Sequence, residues 1–125
     1  MSGDLKAFFD RYNASFGEGP AAIADFYFEP CITARMGQSR LNATRKDTEE
    51  FFGQALGKYR GQGFHHGKIL GFESRPIGAN SALATIQWSY NDASGKSLWQ
   101  STFSYNLYKS NGAWKILLQT MHDAQ

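Results

Sequence analysis

The sequence predicts an α+β domain, with helices packed on one face of a curved, mostly antiparallel sheet. Three observations predict it. Residues 4–16 set Leu5, Phe8, Phe9, Tyr12 and Phe16 at three- and four-residue spacing, one aromatic stripe along a helix. Two later runs alternate with a period of two. In the first, Ala82, Ala84, Ile86, Trp88 and Tyr90 share a face; in the second, Trp99, Ser101, Phe103, Tyr105 and Leu107 do. Asn111-Gly112 then joins the last two strands, and the type I′ turn it favours needs positive φ at both central positions.

The first helix spans Asp4 to Phe16, with Ser2 or Asp4 serving its start and Gly17 its stop. A short second helix has Pro20 at its first position and Ile23, Phe26 and Tyr27 on one face, and Pro30 ends it. Cys31–Met36 reads as a short strand and Gly37–Leu41 as another. A third helix spans about 45–60, with a capping-box-like start from Thr44 and Asp47, or Asp47 and Glu50. Phe51, Phe52, Ala55, Leu56 and Tyr59 form its buried stripe. Four strands follow, at Phe64–Ser74, Ser81–Asn91, Ser97–Lys109 and Trp114–His122, with turns at 75–78, 92–95 and 110–112. On the last strand Trp114, Ile116 and Leu118 share one face while Leu117 and Met121 take the other. A strand with one wet face should alternate more cleanly. Both faces are therefore expected to be covered, one by helices and one by a second copy of the chain.

With 125 residues, the chain is expected to form a single domain over 1–125. Apolar residues at 42% and charged residues at 19% exclude a disordered chain. A net charge of +2 singles out neither nucleic acid nor membrane as a partner. Arg35, Arg40, Arg45 and Lys46 form a loose basic run that reads as solvated surface ahead of a binding patch. Cys31 stands alone, and no Cys/His spacing resembles a zinc site, so no metal or cofactor is implied. No leader pattern or bilayer-length apolar run appears, which makes the cytoplasm the expected location.

The two alternating faces mix large aromatics with hydroxyls, where a packing core would favour Val, Leu and Ile. Such a lining suits a cavity for a small apolar or aromatic molecule. Trp88, Tyr90, Trp99, Ser101 and Tyr105 are its ligand-binding candidates, each equally readable as aromatic core. Arg35 either meets an anionic group in the cavity, points outward or pairs with Glu73. Tyr12 either orients a ligand or fills the helix stripe as core. His65 and His66 face opposite sides of a strand, and His66 shares the phase of Leu70 and Phe72. His66 is thus preferred over His65 as an acid–base candidate beside Tyr12, since imidazole titrates near neutrality, set against the plainer reading of one histidine in water at the strand start and one packed on the third helix.

The element order, Asp10-Arg11-Tyr12 in the first helix, residues 44–52 at the start of the third, and Asn111-Gly112-Ala113-Trp114-Lys115-Ile116 together resemble the nuclear-transport-factor-2-like superfamily. This group is also described as SnoaL-like or cystatin-like. The resemblance implies three N-terminal helices on a strongly curved sheet, a cone-shaped cavity between them, and dimerisation over the sheet. Its steroid isomerases place an oxyanion-binding tyrosine at the position of Tyr12. Their catalytic aspartate falls near Arg35 or Met36, and their second acid near 101–103, where this chain has no carboxylate. Steroid-type isomerisation is thereby disfavoured. The reading that follows is a small-molecule-binding protein, with metal-independent lyase or isomerase chemistry as an extension. The alternative is a non-catalytic interaction or dimerisation module.

Overall fold

The computed structural model describes residues 2–123. Its elements are α1 (Ser2–Ser15), α2 (Pro20–Ala24), β1 (Tyr27–Arg35), β2 (Gln38–Asn42), α3 (Arg45–Gly61), β3 (His66–Gly78), β4 (Ser81–Asn91), β5 (Ser97–Ser110) and β6 (Ala113–Met121). The strands form one six-stranded sheet in the order β2-β1-β6-β5-β4-β3. Only β1 and β6 pair in parallel; every other pair is antiparallel. The helices pack on one face, and the core lies between. Two helices, not three, precede the first strand, because β1 and β2 intervene before α3.

Local signals placed most elements. Thr44 caps α3 with a reciprocal box: its hydroxyl accepts from the Asp47 N–H, and the Asp47 carboxylate accepts from the Thr44 N–H. Asn111 and Gly112 both have positive φ, at 53° and 76°, as the tight hairpin requires. Four residues of the α1 stripe are buried, with Leu5, Phe8, Phe9 and Tyr12 each at most 4% exposed, while Phe16, just past the helix end, is half-buried.

Two expected boundaries are corrected by non-local pairing. The second helix stops at Ala24, and Tyr27 begins β1 because it pairs with Ile116 of β6. The turn expected at 75–78 is strand instead, with Arg75 opposite Leu83 and Pro76 opposite Ala82. Proline is tolerated there because β3 is an edge strand and one side of its backbone needs no donor.

Two β-bulges re-phase the strands that matter for function. On β3 the register shifts between Ile69 and Gly71. Before it Gly67 and Ile69 oppose the inward Tyr90 and Trp88; after it Phe72 opposes the inward Ile86. On β6 Leu107 opposes Ile116 while Asn106 opposes Leu118, leaving Leu117 as the extra residue. Ile116, Gln119 and Met121 therefore face the helices, and Leu118 and Thr120 face the other side. This corrects the expectation that Ile116 and Leu118 share a face.

Candidate functional site

Tyr12 from α1, Arg35 from β1, Tyr59 from α3, Trp88 and Tyr90 from β4, Tyr105 from β5 and Gln119 from β6 converge on a narrow cavity of about 30 Å³. That is room for one water rather than an organic molecule. The aromatic rings have filled most of the space. Tyr12 sits within about 6 Å, ring centre to ring centre, of Phe9, Phe16, Phe26, Tyr27, Trp88 and Tyr105.

A continuous polar chain crosses this aromatic shell. The Tyr12 and Tyr27 hydroxyls lie 2.7 Å apart. Gln119 donates Nε2–H to the Tyr27 hydroxyl at 2.9 Å, and its Oε1 accepts from Arg35 Nη2 at 2.8 Å. Arg35 Nη1 reaches the Tyr59 hydroxyl at 3.3 Å. The guanidinium lies 4.8 Å from the Phe51 ring centre and 5.3 Å from that of Phe103. Its Nε–H is buried with no partner, and no carboxylate pairs with Arg35 among the described residues. Pairing with Glu73 is excluded by topology: β1 and β3 are separated by β6, β5 and β4.

Two further links hold the lining. Trp88 donates its indole N–H to the Tyr105 hydroxyl at 3.0 Å. The Tyr90 hydroxyl pairs with Ser101 Oγ at 2.7 Å, which gives the inward serine its partner. Trp99 stacks on Tyr90 at 4.9 Å and packs edge-on against Tyr59. Ser101 and Trp99 thus stand behind Tyr90 and are not among the residues lining the cavity.

His66 is exposed and outside the lining. The bulge on β3 explains this correction, since it breaks the shared phase between His66 and Phe72. Its Nδ1 lies 3.0 Å from Nδ1 of His65, beside a separate surface depression of about 500 Å³. Asn13, Phe16, Phe64 and Gly67 line both the depression and the cavity, so they stand between the cavity and solvent. Asn13 closes that seam by donating to the Gly67 carbonyl at 3.0 Å.

Sequence reading misses Gln119, Tyr27 and Asn13. Spacing alone places Tyr27 on a helix, and Gln119 turns inward only after the bulge. Asn13 lies off the α1 stripe, and only β3 packing gives it a partner.

Burial, and then the neighbouring phenols, raise the Tyr12, Tyr27 and Tyr105 hydroxyls well above the ordinary tyrosine range. Tyr90 is raised in the same way. All four are neutral donors at physiological pH. A folded-state value above the unfolded one gives stability that is complete below about pH 10 and lost as pH rises through the folded value. In an alkaline titration followed by phenolate absorbance, these four tyrosines should ionise only as the domain unfolds. Gradual, reversible ionisation of all six near pH 10 would contradict their burial.

The architecture and this aromatic site can be set beside known proteins. Residues 3–124 match the family model described as NTF2-like protein (DUF6841). The chain belongs to this NTF2-like family. Three solved structures of low identity share the fold. One is an NTF-2 like protein of unknown function from Shewanella oneidensis, 15% identical, with TM-score 0.77 and 98% of each chain covered. Aln2 from a Streptomyces species is 10% identical, with TM-score 0.77, covering 95% of this chain and 87% of its own. Yeast UBP3-associated protein BRE5 is 16% identical, with TM-score 0.74, covering 95% and 92%. Cystatin-like folds also appear among the similar structures, as the resemblance implied. No curated protein matches the chain. For this NTF2-like chain these likenesses carry the fold alone.

Proposed function

We propose that this NTF2-like protein binds a small aromatic anion in the cone-like space between helices and sheet, on Arg35, without acid–base turnover. The observation that carries the reading is the Arg35 guanidinium. It lies among aromatic rings with an unused Nε–H and no carboxylate beside it. A cation withdrawn from water without a counter-charge is costly. A purely structural core would replace it with a hydrocarbon, whereas a ligand carboxylate engages its fork of donors. The neutral Tyr12 hydroxyl adds a second donor. When Tyr27 donates to Tyr12, the Tyr12 proton is left for a guest oxygen. Trp88, Tyr90 and Tyr105 supply the aromatic walls, with Trp99 and Ser101 holding Tyr90 in place. Entry is through the Asn13–Gly67 seam, which must part because the closed space holds only about one water.

The lining contains no Asp, Glu or His. With His66 exposed, the lyase or isomerase extension has no carboxylate or imidazole to act as base, and phenols raised by burial are poor bases near neutrality, so binding is the better-supported activity. The test is calorimetry with benzoate against neutral benzamide. Saturable binding of benzoate, at least tenfold tighter than benzamide at about 1.4 kcal/mol per tenfold, is the expected result. Equal or absent binding of both overturns the reading.

A homodimer through the open sheet face is proposed with it. Leu41, Ile32, Leu118, Asn106 and Leu83 form one row across five strands, each opposite the next. Leu41 is 63% exposed and Ile32 and Leu83 are each 39% exposed, an apolar band that a second copy would cover. Sedimentation should show a dimer at micromolar concentration, converted to monomer by Leu83→Glu with Leu118→Glu. A wild-type monomer would sink the idea. The single cysteine, Cys31, is buried and forms no disulfide, which suits the cytoplasmic location proposed here.

A further inference from the structure

A second concavity, of about 430 Å³, lies where α1 meets the β5–β6 hairpin. It shares no lining residue with the Arg35 cavity. Phe8, Phe26 and Trp114 give it an aromatic wall. Five charged residues line it: Asp4, Arg11, Asp25, Lys109 and Lys115.

One of the two carboxylates there is already paired. Asp25 Oδ1 lies 2.6 Å from Arg45 Nη1, and Asp4 has an interaction of its own. Lys115 Nζ donates to the Asp25 carbonyl. None of the three cations lining the groove has a carboxylate partner among the described residues, and two of them, Arg11 and Lys109, lack a side-chain hydrogen bond as well. Arg11 is exposed and makes no ion pair or side-chain hydrogen bond among the described residues. Lys109 forms no ion pair either, and its Nζ sits 4.9 Å from the centre of the Trp114 ring. An ammonium held against an indole marks a place where aromatic surface and positive charge meet. A ligand packed along that wall brings its own charge within reach of Lys109 and Arg11. Like-charged side chains gathered in one groove are relieved by an anion they share.

We propose that this groove is a second binding site for a fused-ring organic anion, a carboxylate or sulfonate on a planar aromatic body. The rings pack on the Phe26–Trp114 wall and the anion meets Arg11 and Lys109. The volume accommodates a two-ring molecule, whereas the Arg35 cavity in its closed form does not.

Naphthalene-2-sulfonate is the probe, and the three tryptophan indole N–H signals in a ¹⁵N-labelled sample are the readout. Trp114→Phe identifies the Trp114 signal. That signal should shift saturably with the sulfonate. Neutral naphthalen-2-ylmethanol should bind about tenfold more weakly, and Arg11→Gln with Lys109→Gln should weaken the sulfonate by about tenfold or more. Both replaced side chains lie at the surface, and unchanged Trp88 and Trp99 signals would show that the fold is kept. A Trp114 signal that never moves overturns the proposal. So does binding that is indifferent to the sulfonate charge or to the double replacement. Trp88 reports the other cavity separately, so failure of benzoate to bind there leaves this result readable.

Discussion

Arg35→Gln should lower the affinity for benzoate by about 100-fold or more while leaving the free protein at least as stable as before. Loss of one partner from a desolvated charge pair costs about 2–5 kcal/mol, and about 3 kcal/mol, inside that range, already corresponds to roughly 100-fold. The stability half of the result separates binding from scaffolding. In the free protein Arg35 has Gln119 and Tyr59 as partners, but no carboxylate and one idle N–H. Removing a half-buried, unpaired cation is neutral or stabilising, as replacements of buried charges often are. Arg35→Lys should recover only part of the affinity, because an ammonium cannot present the planar fork. If Arg35→Gln instead lowers the melting temperature and leaves benzoate binding unchanged, Arg35 is a strut between β1 and α3.

Phe9→Ala should give the largest loss of stability in the chain, about 3–5 kcal/mol. Phe9 is 0% exposed and meets Phe8, Tyr12, Phe72 and Tyr105 with ring centres 4.9–6.1 Å apart. It therefore joins α1 to β3 and β5, and its removal leaves a void with walls on three elements. For a domain of this size the loss corresponds to a fall in melting temperature on the order of 10–20 °C. Thermal unfolding by circular dichroism measures it. A fall of only a few degrees would mean that the surrounding rings close the gap, and that the α1 packing is softer than these contacts indicate.

These two residues also divide what could be read in advance from what could not. Phe9 was legible because the core position of a helix is a matter of spacing along the chain. Leu5, Phe8, Phe9 and Tyr12 share a stripe whatever they pack against. Ser81–Asn91 was legible for the same reason: a period of two needs no knowledge of the neighbouring strands. Arg35 was legible only as a choice among cavity, solvent and Glu73, since a charged residue in a short strand has no periodic signature. Strand order removed the Glu73 alternative by carrying β3 to the opposite edge, and contacts with Tyr59 and Gln119 turn the side chain inward.

The α+β class, the aromatic stripes, the inward phases of β4 and β5, and the Asn111-Gly112 hairpin all follow from the order of residues along the chain. Each depends on contacts within a few residues or on a strict repeat. Long-range packing set the parallel pairing that draws Tyr27 into a strand, and the two bulges that turn His66 out and Gln119 in. It also decided how completely the rings fill the space around Tyr12. A bulge inserts one residue against a partner strand, and nothing in the inserted residue announces it, because the partner's register sets where it falls. A one-residue slip reverses every later side chain on that strand. His66 lay one bulge away from the residues whose phase was used to place it, and for that reason its side chain ends on the exposed side.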